Sequence, residues 1–313
     1  ADRRGPYRRM VSPRHRPRHL EASAIAAIGP VIVIAPFCAL ALLVCWSVVR
    51  LVWDVPYWWF AGGYALAGVL LFVRPVQALV LPPLLGARQP TEAELARLAP
   101  LWQEVAVAAQ LPPDRYLLRV LPSDELNAYA CGGHLVVVTT FAVNELPRRE
   151  LAGVLAHELS HHLGMHTVAL TVGHWLSLPV VALARIGFWL QNVATAATQT
   201  FARGSSGLTI LGQLVAGLLR VVSLPFVVAL YASDALGNLV AHQAEFQADR
   251  RVVKMGFGRH LSHALRRVVE LGGGHRPVGW RARIAASHPP ARTRVARIDA
   301  MLRHPTETSR SRI

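Results

Sequence analysis

Apolar positions in this chain fall into long unbroken runs, separated by stretches with ordinary helix and strand periodicity. No charged residue occurs between Glu21 and Arg50. About 20 apolar residues carry a helix across a hydrocarbon core, so a first membrane span is expected near 24–48. Asp54 and Pro56 make a short turn, and no charge follows until Arg74. Tyr57, Trp58 and Trp59 open that second run as an interfacial aromatic belt does. A second span is expected near 57–80, ended by Pro82 and Pro83. Two further apolar stretches lie near 167–190 and 208–231. His174, Pro179 and Arg185 interrupt the first, and Arg220 and Pro225 the second. Charge near the bilayer centre is costly, so these two read as full spans, as a re-entrant hairpin, or as a buried soluble hairpin.

Between the runs the pattern changes. Thr91 to Gln110 reads as an amphipathic helix, with Thr91 and Glu94 at capping-box spacing. Tyr116 to Leu121 and Leu135 to Thr140 are rich in β-branched residues and read as strands, joined by Asn127 to Gly133. Pro147 to Leu163 reads as a helix, and the chain beyond 233 as helical and basic. The expected organisation is a disordered basic tail over 1–20, two transmembrane helices over 21–83, and the first part of a soluble domain over 84–166. A transmembrane or re-entrant hairpin over 167–232 follows, then the second part of that domain over 233–304 and a basic tail over 305–313.

Composition supports the membrane reading. Of 313 residues, 53% are hydrophobic and only 16% charged, against roughly a quarter charged in soluble domains. The net charge of +15 suits nucleic acid or an anionic membrane surface. No aromatic RNA-binding signature and no Cys/His finger spacing accompany it, and the basic residues flank apolar runs, so the membrane surface is the expected partner and nucleic acid is not. Arg3, Arg4, Arg8, Arg9, Arg14, Arg16 and Arg18 precede the first span, which is too long for a signal-peptide core. By the positive-inside rule the N-terminus, residues 84–162 and the C-terminal part face the cytoplasm. Cys38, Cys45 and Cys131 have no disulfide or metal spacing.

The chemistry concentrates in His157-Glu158-Leu159-Ser160-His161, an HExxH sequence. Residues four apart share a helix face, so His157 and His161 offer two imidazoles to one zinc ion. Glu158 stands beside them, able to take a proton from a water attacking a carbonyl. A catalytic zinc takes three protein ligands, and no further histidine follows at HxxGxxH spacing. Downstream acids are Asp234, Glu245, Asp249, Glu270, Asp299 and Glu307. Glu245 and Asp249 lie four apart on one helix face, so Glu245 can ligate while Asp249 accepts the N–H of a ligand imidazole and sets its tautomer. A solvated face shared with Arg250 and Arg251 is the alternative. His162 and His166 extend the motif and read as surface.

Together these residues resemble the HtpX-like family of integral-membrane zinc metalloproteases, relatives of the CaaX prenyl endopeptidases. The resemblance rests on Asn127-Ala128-Tyr129-Ala130 with Gly132-Gly133, on Val136 to Thr140, on His157 to His161, on Glu245-Phe246-Gln247-Ala248-Asp249, and on His288-Pro289-Pro290 with Arg294-Val295. It implies a mainly α, multi-pass membrane protein with an α+β gluzincin-like metalloprotease domain, a small sheet lying beside the HExxH helix. It implies one Zn²⁺ per chain held by His157, His161 and Glu245, with Glu158 as base. It further implies that an extended substrate pairs with the strand holding Val137 and Val138, that His288 stabilises the oxyanion, and that Asn127 contacts substrate. The expected activity is endopeptidase cleavage of membrane or misfolded proteins at the inner face of the cell membrane, in quality control. A signalling protease and a non-catalytic zinc scaffold are the alternatives.

Overall fold

The computed structural model describes residues 28–164, 166–201, 205–271 and 290–304. The expectations for residues 1–20, for His288 and for 305–313 fall outside the described residues. The rest is a mainly α protein with one small sheet, and several of its helices are apolar enough to cross a membrane.

Helix α1 (Ile28–Val49) is apolar on every face and passes the length and hydropathy requirements of a span. It buries Ile34, Cys38, Ala41 and Leu42 against Val180, Phe226 and Ala229 of the later helical hairpin. The second apolar run is not one straight span. It divides into α2 (Tyr57–Leu70) and α3 (Arg74–Leu85), bent by 93° across three residues. The physical reason is Pro75, which has no N–H for the preceding turn but suits the first turn of a new helix. Pro82 and Pro83 lie within α3, which ends at Gly86 in the left-handed region (φ 73°).

Helix α4 (Glu92–Ala108) begins with the expected capping box: the Glu94 amide donates to Thr91 Oγ1 (3.3 Å) and the Thr91 amide to Glu94 Oε2 (2.7 Å). Strands β1 (Leu117–Leu121), β2 (Ala128–Cys131) and β3 (Leu135–Thr139) form a sheet in the order β1-β3-β2. β1 runs parallel to β3 in the register Leu117↔Leu135, and β2 antiparallel in the register Ala128↔Val138. The segment read as a connection therefore holds a strand of its own. Alternation does not mark it, because Ala-Tyr-Ala-Cys carries little β-branched signal.

The sheet order also corrects the substrate strand. β3 is central and buried along its whole length, and its backbone bonds are shared between two neighbours, so Val137 and Val138 cannot pair with a substrate. A continuous apolar run is the mark of a strand covered on both faces. The outer side of β1 is bridged by Arg88 to Val120. Among the described residues, β2 is the open edge.

Helix α5 (Thr140–Glu145) leads into α6 (Arg148–Leu163), which buries Leu151, Leu155 and Leu159 in the main core with Val136, Val138, Leu98 and Leu261. Helix α7 (His166–Phe201) leaves this domain, and α8 (Ser206–Lys254) returns to it. Their stretches Thr167–Thr200 and Ser206–Ser233 are long and apolar enough to cross a membrane. α8 continues without interruption through Pro225 and carries Glu245 and Asp249 in its last third. Helices α9 (Gly258–Glu270) and α10 (Ala291–Arg303) close the domain over α6. At Gly153 on α6 an added Cβ would lie 2.5 Å from the Leu261 amide nitrogen, so glycine permits the close α6–α9 crossing.

Candidate metal centre

The HExxH segment lies in the last two turns of α6, where its apolar partners turn it inward: His157, Glu158 and His161 are all buried. Glu245 reaches them from α8 and is buried as well. The donors form a compact triangle whose third corner is the Glu245 carboxylate, one oxygen facing each histidine. His157 Nε2 lies 3.1 Å from His161 Nε2, His161 Nε2 lies 3.1 Å from Glu245 Oε1, and His157 Nε2 lies 3.2 Å from Glu245 Oε2. A tetrahedral zinc with bonds of about 2.0–2.1 Å separates its ligand atoms by about 3.3 Å, so the triangle fits such an ion with small adjustment. Asp249 Oδ1 lies 3.2 Å from His157 Nδ1. Accepting that N–H leaves the Nε2 lone pair for the metal.

Arg294 on α10 is the residue whose part in the site the sequence did not reveal. It is buried, and its Nη2 donates to Asp249 Oδ1 (2.7 Å), its Nε to Asp249 Oδ2 (3.0 Å), while Nη1 lies 2.9 Å from Glu245 Oε2. Nη2 also lies 3.0 Å from His157 Nε2. Nothing separates Arg294 by composition from the other arginines of a basic C-terminal segment. Its only sequence signal was its place after His288-Pro289-Pro290.

Charge accounting favours a divalent cation. Glu158, Glu245 and Asp249 carry three negative charges and Arg294 one positive, all buried, leaving two negative charges to balance. Uncompensated buried charge is strongly unfavourable, and one Zn²⁺ beside neutral histidines would neutralise it. Burial and Arg294 push His157 down, but Glu245 and Asp249 outweigh them and raise it to about 9. Asp249 is driven up by burial and held below its ordinary range by Arg294 and His157. Burial alone would lower Arg294, yet Glu245, Asp249 and Glu158 raise it above its ordinary value.

The supports around the site come from several elements. Arg251 of α8 donates to the Ser160 carbonyl on α6 at 2.7 Å. Arg297 of α10 lies 3.8 Å from the Phe246 ring centroid. His162, expected at the surface, is instead buried. Its Nε2 lies 3.0 Å from the Leu135 carbonyl of β3, its Nδ1 3.2 Å from Thr167 Oγ1, and its ring packs 4.8 Å from Tyr116. Pointing away from the donor triangle, it ties α6 to the sheet and to the start of α7.

The family model of peptidase family M48 matches residues 92–302, which include the donor triangle and Arg294. The chain belongs to peptidase family M48. It is therefore a metallopeptidase, and its apolar helices make it a multi-pass membrane member of the family. Among curated relatives, a protease HtpX homolog of Acidiphilium cryptum is 28% identical over 240 residues, covering 69% of this chain and 77% of the relative. A protease HtpX homolog of Salinibacter ruber is 26% identical over 242 residues, covering 69% and 78%. One from Streptococcus thermophilus is 28% identical over 233 residues, covering 69% and 75%. Among solved structures, the crystal structure of S. mikatae Ste24p aligns with a TM-score of 0.48 and 18% identity, over 88% of this chain. The M48 peptidase spans 66% of that chain's length.

Proposed function

We propose that this M48 peptidase is a zinc-dependent endopeptidase that cleaves membrane or misfolded proteins at the cytoplasmic face of the cell membrane, as a quality-control enzyme. The carrying observation is the convergence of His157, His161 and Glu245 within 4.8 Å of one another, beside buried Glu158. The cytoplasmic orientation rests on the arginines that precede α1.

When bound, zinc supplies Lewis-acid polarisation of the scissile carbonyl and activation of the attacking water. Glu158 receives that water's proton on its carboxylate and passes it to the leaving amine nitrogen. Asp249 holds His157 in the ligating tautomer, and Arg294 fixes Asp249 and Glu245 in place. The substrate backbone is assigned to the open edge of β2 rather than to β3. The Thr139 amide donates to the Asn127 carbonyl (3.0 Å), so the alternation of an antiparallel ladder turns the backbone groups of Ala128 and Ala130 outward. These can bind an extended peptide by β-augmentation. Asn127 precedes this edge and is proposed to contact the substrate, and His288 to stabilise the oxyanion.

Purified protein in detergent should hold about one zinc per chain and cleave a casein-type substrate. Glu158→Gln should keep the zinc and lose at least about a hundredfold in turnover. Glu245→Ala should lose the zinc. Full activity in Glu158→Gln, or a metal-replete wild type without zinc, would remove the basis of the reading.

A further inference from the structure

Helix α2 is too short to be a whole span. Its 14 residues extend about 21 Å, against a hydrocarbon core of about 30 Å. It touches the helical hairpin along one side only, where Tyr64 stacks 4.7 Å from Trp175 of α7 and Gly68 is buried, while Trp58, Trp59, Leu66 and Val69 are exposed. At the end of α2 the chain turns by 93° into α3. With α2 starting at one boundary of the core and standing along the bilayer normal, a helix entered there would run along the bilayer about 9 Å short of the far boundary, within the 5–10 Å depth at which amphipathic helices lie in the interface.

The two faces of α3 agree with that placement. One face buries Leu81 and Leu85 against Leu135 and Val137 of the sheet. The other carries Leu79 (76% exposed), Val80 and Leu84 (54% exposed), with no charged residue after Arg74. Continuity with the exposed apolar side chains of α2 (Trp58, Trp59, Leu66 and Val69) makes lipid the occupant of this apolar face, and the sheet lies directly on the opposite one.

Gln77 links α3 to the edge strand. It is fully buried. Its Oε1 lies 3.3 Å from His134 Nδ1, and its Nε2 rests against Gly132, where an added Cβ would approach within 2.6 Å. Gly132, at φ 61°, opens the turn between β2 and β3, and its amide donates to Thr171 of α7 at 3.1 Å. The Gln77 Nε2 has no hydrogen-bond partner among the described residues. A leucine would fill the site without that desolvation cost, so the amide serves placement rather than stability.

We propose that α3 is a lipid-interface platform that sets the height of the β2 edge above the bilayer, with Gln77 as the positioning residue that transmits it. The enzyme then favours extended segments that emerge close to a transmembrane helix. This rests on the peptidase reading above and adds a geometric restriction on its substrates.

The test uses the full chain in phospholipid nanodiscs. A photo-crosslinking amino acid placed at 79 or 84 should form lipid adducts, and one at the exposed position 92 on α4 should not. Absence of adducts at 79 and 84 would overturn the placement whether or not the protein is active. Adducts without hydrolysis of any substrate by the wild type would support the placement and count against the peptidase reading. Single-span test proteins with the cleavage site stepped away from the span should be cut best at the shortest reachable distances. The double variant Leu79→Lys/Leu84→Lys should flatten that profile and leave hydrolysis of a soluble peptide in detergent unchanged. An unchanged profile would refute the height-setting role. Gln77→Leu should raise KM about tenfold at constant kcat and zinc content, since a small misplacement of a binding strand weakens binding. A fall in kcat at constant KM would mark Gln77 as merely structural.

Discussion

At the residue scale the site is defined by its charges as much as by its ligands. Arg294 holds Glu245 and Asp249 together across α8 and α10. Arg294→Ala leaves those carboxylates without their counter-charge and should destabilise the protein by about 3–5 kcal/mol, with partial loss of zinc. Arg294→Lys should not restore it, since an ammonium cannot span two carboxylates as the guanidinium fork does. Thermal unfolding with parallel metal analysis checks both. Another buried acid, Glu94, gives a pH signature far from the candidate metal centre. Arg88 bonds both oxygens of Glu94 (2.7 and 2.8 Å), and with the Thr91 cap lowers it from the usual 4.5 to about 2. A depressed acid contributes stability above its unfolded pKa and loses it as pH falls through the folded one. The melting-temperature gap between wild type and Glu94→Gln should be widest above pH 4.5 and close toward pH 2.

At the element scale, one HExxH helix serves several neighbours. α6 meets α9 at Gly153, the sheet through His162, and α8 through Arg251. The neighbours of a Cβ at 153 are the backbone of His260 and Leu261, which cannot rotate away. Gly153→Ala should therefore destabilise by about 1–3 kcal/mol despite its better helix propensity, and lower the zinc content by shifting α6 against α8. A melting temperature equal to wild type would show that α9 yields instead. Much at this scale was legible. The Thr91 cap, the helix over Pro147–Leu163 and two of the three strands follow from local pattern. The break at Pro75 was not separated from a continuous span, because hydropathy reports length but not direction. β2 was missed because four small or mixed residues take strand conformation only by pairing with β3.

At the scale of the whole molecule, α8 is a single rod that carries both a membrane-length apolar stretch and Glu245 of the candidate donor cluster, so that cluster and the apolar hairpin are mechanically joined. Removing zinc would leave two buried negative charges to be balanced by protonation or by loosening of α8 from α6. Chelator treatment should lower the melting temperature by several degrees and increase amide exchange in Ala241–Lys254 and α6 before the α4 capping turn responds. Equal exchange across the domain would contradict that coupling. By itself the sequence determined the runs that enter the membrane, the His157/Glu158/His161 helix and the candidacy of Glu245 and Asp249. Those depend on interactions between residues close along the chain, through hydrophobic length and the four-residue repeat of a helix. Only the tertiary structure decided that Arg294 enters the site, that His162 is core, and that β2 rather than β3 offers an open edge. These depend on which distant segments share a neighbour, and backbone pairing and buried charge balance arise only once those segments meet.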